Sequence, residues 1–98
     1  MLRVERDLHL DGAMQAAVTE LRELVTRHFP DASFRVSRGP DDPEAVHLHA
    51  VVDLDDPDLV VDLVIERMMQ LQIEDGLPIF VIPARSRARV ETMRRAAV

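Results

Sequence analysis

The segment from Val46 to Leu54 constrains the fold more than any other. Val46, Leu48, Ala50, Val52 and Leu54 alternate with His47, His49, Val51 and Asp53. Such alternation marks a half-buried strand, with one face against a core and the other outside. A strand of this kind is not stable alone, so the chain must supply partner strands and a covering layer. The flanks say where these come from. Gly39-Pro40-Asp41-Asp42-Pro43 is dense turn chemistry within a loop from Arg38 to Glu44. Before it, Ala32, Phe34 and Val36 alternate with Ser33, Arg35 and Ser37, which predicts a second strand in a hairpin with the first. After it, Asp56 can cap a helix, Pro57 suits its first position and Asp58 complements its dipole.

That helix is expected to run to about Glu74, with Gly76 as its stop and Pro78 beyond. An earlier helix is predicted from the Asp11 cap, with Met14, Ala17, Val18, Leu21, Val25 and His28 on one face and Pro30 at its end. His28, in the last turn, suits a capping role better than ligation. Ile79 to Ile82 reads as a further strand, apolar on both sides and closed by Pro83. At the start, Leu2, Val4, Leu8 and Leu10 alternate with Arg3, Glu5, Asp7 and His9, and Arg6 breaks the phase. Ser86 can cap a final helix with a thin apolar side of Val90, Met93 and Ala97.

The order strand, helix, strand, strand, helix, strand, helix predicts an α+β fold. Specifically, it predicts a two-layer ferredoxin-like sandwich, βαββαβ plus a C-terminal helix, with strand one beside strand three. If residues 1–10 form no strand, the remainder is an αββαβ unit with a three-stranded sheet. Nothing resembling a linker interrupts residues 1–98, so one domain is expected, with an Arg-rich terminal helix over 85–98. This element order is similar to that of ferredoxin-like ligand-sensing domains and of the cytosolic tail domain of cation-efflux transporters. The resemblance implies a fold and carries no activity.

Composition narrows the chemistry. The chain has no Cys, Lys, Tyr or Trp. That removes thiolate nucleophiles, Cys-based metal sites, Schiff-base lysines and aromatic base-stacking platforms. Residues 1–84 hold 7 Arg against 17 Asp and Glu, whereas 85–98 hold 5 Arg and Glu91. An acidic body repels nucleic acid and anionic membrane, so neither is an expected partner. Met1 leads into a charged stretch, and no apolar run approaches the ~20 residues that span a bilayer. The expected location is cytoplasmic. No glycine-rich loop or nucleophile elbow is present, so the chain leans away from catalysis.

Three features suggest function. The helix beginning near Asp58 is apolar around most of its circumference, more than one sheet can cover. With the apolar strand after it, this predicts self-association, most simply a dimer, through Val61, Ile65, Met68, Met69, Phe80 and Ile82. Second, His47 and His49 share one strand face. With His9 or Asp53 they form a chemically competent set for a divalent transition metal such as zinc, nickel or copper. No other cofactor is implied. Third, Arg85, Arg87, Arg89, Arg94 and Arg95 could contact an acidic partner. The acidic run Asp53, Asp55, Asp56, Asp58 and Asp62 lacks the glycine and terminal glutamate of a calcium loop, so capping and a solvated face explain it better. The expected function is therefore a small non-catalytic, self-associating interaction or regulatory module. The alternative is a metal-binding or metal-sensing domain.

Overall fold

A computed structural model describes residues 2–4 and 10–96. Asp11 opens helix α1 (Gly12–His28) by accepting the Met14 N–H at 2.8 Å, which satisfies one of the donors a helix start leaves bare. The other long helix, α2 (Asp58–Ile73), starts differently. Pro57 holds the cap position without a side-chain bond, and Asp56 Oδ1 accepts the Asp58 N–H at 3.1 Å. Past its end, Gly76 adopts φ +65°, the left-handed conformation that favours glycine and turns the chain toward the next strand.

Strands β1 (Leu2–Val4), β2 (Ser33–Arg38), β3 (Val46–Val52) and β4 (Ile79–Arg85) form a mixed sheet in the order β1-β2-β3-β4. The pair β2–β3 is antiparallel, a hairpin as expected, with Phe34 opposite Ala50 and Val36 opposite Leu48. The other two pairs, β1–β2 and β3–β4, are parallel. Both long helices cover one face. Phe34, Val36, Val46, Leu48, Ala50, Val52, Ile79 and Val81 meet Met14, Val18, Leu21, Val25, Val60, Val64 and Leu71 in a single core. No helix among the described residues is long and apolar enough to cross a membrane.

The α+β class, the element order and the two layers follow the sequence expectation; the strand order does not. A ferredoxin-like sheet places the first strand beside the third. Here β3 has both edges taken, by β2 through the hairpin and by β4 through the α2 crossover. That leaves β1 only the outer edge of β2. The three-stranded alternative describes the body of the sheet, to which β1 adds three residues. Residues 5–9, including Arg6, Asp7 and His9, lie outside the described set, and so do Ala97 and Val98.

Strand β4 also exceeds its expected length, passing through Pro83 to Arg85. The reason is its place at the sheet edge. Pro78 C=O accepts from Val46 N–H at 2.8 Å, and Ser86 N–H donates to Val52 C=O at 2.9 Å. Even-numbered residues therefore turn their main chain toward β3, and Ile79, Val81, Pro83 and Arg85 turn theirs outward. A proline there loses no ladder bond. Side chains of α2 take two of the outward groups: Gln72 Nε2 donates to Ile79 C=O at 2.7 Å, and Val81 N–H donates to Met68 Sδ at 3.3 Å. The edge is thus blunted by its own helix.

The two helices are tied by Arg67 and Glu20. Arg67 Nη2 donates to Glu20 Oε1 at 3.0 Å, and Nε donates to Oε2. The hydrogen bond from Arg67, reinforced by its charge and opposed by slight burial, holds the Glu20 carboxyl below its ordinary 4.5. A lowered carboxylate pKa stabilises the fold above 4.5, and that contribution disappears as pH falls through the lowered folded value. Both side chains are more than a third exposed, so water and salt screen the pair. Glu20→Gln is therefore expected to be slightly less stable than the parent at neutral pH. The gap should close on acidification below pH 4.5 and shrink with added salt. Urea denaturation across pH at two ionic strengths checks this; a gap that widens in acid would contradict it.

Candidate functional site

Three surfaces carry the residues that the sequence singled out. The first is the open face of the sheet. It presents Ser33, Arg35 and Ser37 from β2, His47, His49 and Val51 from β3, and Phe80, Ile82 and Ala84 from β4. His47 and His49 lie side by side as their spacing requires, with ring centroids 6.0 Å apart and planes at 66°. The His47 ring also meets Phe80 nearly edge to face, at 5.9 Å and 81°. His49 Nε2 lies 3.0 Å from the Ser37 hydroxyl, a cross-strand tie that gives the buried serine a partner.

No group of three His, Asp or Glu gathers as a ligand set among the described residues. Asp53 faces other work at the end of β3, and His9 is outside the described residues. Of the proposed metal ligands among the described residues, the structure brings together the two imidazoles and leaves Asp53 apart.

The second surface is the outer side of α2. Core-facing Val60, Val64, Met68 and Leu71 occupy one side of the helix. Exposed Leu59, Ile65, Met69 and Ile73 lie on the other, interleaved with exposed Asp58, Asp62 and Glu66. Ile73 stands 74% exposed. The expected contact set is therefore divided. Ile65 and Met69 are exposed and Val61 half-buried on the helical layer, whereas Phe80, 40% exposed, and half-buried Ile82 lie across the sheet on the opposite face. Met68 belongs to neither surface, because it is buried with its sulfur over the β4 edge. Within β4 only Ile79 and Val81 are buried, and the apolar residues of its other side, Phe80 and Ile82, stay exposed or half-buried on the open face.

The third surface is helix α3 (Arg87–Ala96), rooted in the loop between β3 and α2. Ser86 caps it, accepting the Arg89 N–H at 3.1 Å while its hydroxyl donates to Asp53 at 3.2 Å. Arg89 Nε donates to Asp53 Oδ1 at 3.0 Å and its Nη1 to Asp55 Oδ1 at 3.2 Å. Arg85 Nε donates to the Asp55 carbonyl at 2.8 Å. Beyond this root no residue of α3 is buried. Of the five arginines proposed for an acidic partner, Arg85 and Arg89 hold the root, while Arg94 and Arg95 pair with Glu91 along the helix, at 3.1 and 3.9 Å.

The anchoring role of Asp53 and Asp55 was not read from the sequence. Its one local signal was the Ser86 cap, since the pairing spans more than thirty residues, as between Asp53 and Arg89. His28 sits exposed at the end of α1, its Nδ1 3.3 Å from the Leu24 carbonyl, in keeping with a capping position. An open cleft of about 520 Å³ lies between Leu10, Met14, Leu77 and Pro78. Its charged margin already serves the fold: Asp11 caps α1, and Arg38 donates to the Glu44 carbonyl at 3.5 Å. The chain matches no protein-family model, and neither a curated protein nor a solved structure is significantly similar to it.

Proposed function

We propose that this chain works by binding, as a self-associating interaction module, with a dimer as its simplest form. The observation that carries the reading is the apolar surface left outside the core: Leu59, Ile65, Met69 and Ile73 on α2, and Val90 and Met93 on α3. Single exposed apolar residues are ordinary, but a row of them along one helix face is costly in water and marks a contact surface. The core needs none of them. It is already closed by Val60, Val64, Met68 and Leu71 on the inner side of the same helix. The blunted β4 edge further supports association through faces, because strand-to-strand addition there finds Ile79 C=O and Val81 N–H taken by Gln72 and Met68 and no donor at Pro83.

Sedimentation velocity from low to high micromolar concentration tests this. The expected result is a weight-average mass that rises with concentration toward twice the chain mass. A monomer mass throughout the range would remove the reading.

A further inference from the structure

We propose that α3 is an exchange arm. It docks on the outer face of α2 in a second copy of this chain, and that copy's α3 docks on α2 of the first. The inference rests on the self-association reading above and assigns its surfaces.

The arm lacks a place of its own. Ten residues is short of the roughly 12–15 at which a helix becomes even marginally stable in water, so α3 depends on packing. Its root ties hold only the first turn, through Ser86 and Arg89. Farther along, Val90 is 43% and Met93 36% exposed, and being three apart they form one stripe. Arg87 lies one turn before Val90 and Arg94 one turn after it, on the same side.

The outer face of α2 is the complement. Apolar Leu59, Ile65, Met69 and Ile73 alternate along it with Asp58, Asp62 and Glu66, all exposed. Helix α3 carries four Arg and one Glu, whereas α2 carries three acids and one Arg, and that Arg67 is turned to Glu20. Apolar stripe would meet apolar row, and the charges along their margins are of opposite sign.

Placement fits as well. Strands β3 and β4 are parallel, α2 follows β3, and α3 follows β4. The root of the arm and the acidic N-terminal half of α2 therefore share one end of the molecule. A two-fold axis near that end sends each arm across the other copy's α2, an isologous contact that closes on itself. A different acidic helix could satisfy α3 alone. Only a second copy covers both surfaces with one kind of contact.

Charge reversal in the full chain tests the pairing. Arg87→Glu/Arg94→Glu and Asp62→Arg/Glu66→Arg alter exposed residues, and circular dichroism checks that each variant stays folded. Each alone is expected to dimerise at least about a hundredfold more weakly than the parent, because two like-charged contacts replace two complementary ones. Mixed, they should form a one-to-one heterodimer, which contains one parental contact and one fully reversed contact. Phe80→Arg, on the opposite face, should leave dimerisation unchanged.

A dimer untouched by either charge variant, variants not rescued by mixing, or a dimer lost in Phe80→Arg would each overturn the arm exchange while leaving self-association standing. A parent chain that stays monomeric would overturn both.

Discussion

Leu48→Ala is expected to lower stability by about 3 kcal/mol, within the range for leucine-to-alanine changes in a packed core. Leu48 is fully buried at the centre of the middle strand, with β2 on one side and β4 on the other. It belongs to the one core cluster that joins three strands and both long helices, and it sits between Val36 on β2 and Val81 on β4. The surroundings have little freedom to collapse into the gap, because Val36 and Val81 opposite it and Val46 beside it on β3 are β-branched and stiff. Domains of this size have total stabilities of roughly 5–15 kcal/mol, and each kcal/mol moves the melting temperature by about 4–8 °C. Calorimetry should therefore show a fall of at least about 10 °C. A shift of only a degree or two would mean that the strand does not sit at the centre of the core.

The second large effect comes from a single methyl group at the hairpin. Gly39→Ala places a Cβ 2.8 Å from the Asp42 carbonyl oxygen, 3.2 Å from His47 Nε2 and 3.3 Å from the Ala45 methyl. The first contact is with backbone that cannot step aside. Asp42 C=O accepts the Ala45 N–H at 3.0 Å, and Gly39 N–H donates to Ala45 C=O at 2.9 Å, so the loop is bonded on both sides of the collision. Overpacking of this kind costs about 1–3 kcal/mol. The displaced loop should also shift the His47 ring resonances, which two-dimensional NMR would read directly. Gly76 is the control. Space around it is open, so Gly76→Ala meets only the penalty of its positive φ and leaves His47 undisturbed. Equal chemical-shift changes at His47 in both variants would contradict the collision.

These two sites mark what could be read from sequence. The alternation through Val46, Leu48, Ala50 and Val52 predicted the inward face of β3, because period two is a local property of the chain. The caps at Asp11 and Ser86 were legible for the same reason: each bonds an N–H three residues away. Strand order was not, since it depends on which edges are free once the hairpin and the α2 crossover have formed. Pro83 misled the reading of β4 because a proline ends an inner strand but sits comfortably on the outward side of an edge. The surplus apolar surface of α2 was visible in composition, yet its division was not. Met68 looks like Met69 in sequence, and its burial, with the sulfur over Val81 N–H, is what assigns it to the interior.

The guarded edge has one more consequence, which concerns how far association can go. A sheet grows without limit when a free strand can recruit another, and chains rich in exposed aliphatic residues are the ones at risk of fibrous growth. Here one border of the sheet is a strand that spans three of the described residues, Leu2–Val4. At the other, a thioether and an amide occupy main-chain groups that a newcomer would need, and a proline offers no donor. For copies that meet through their faces, as proposed, an edge blunted in this way favours assemblies of finite number. On that proposal, association would stop at a small number of copies even at high concentration.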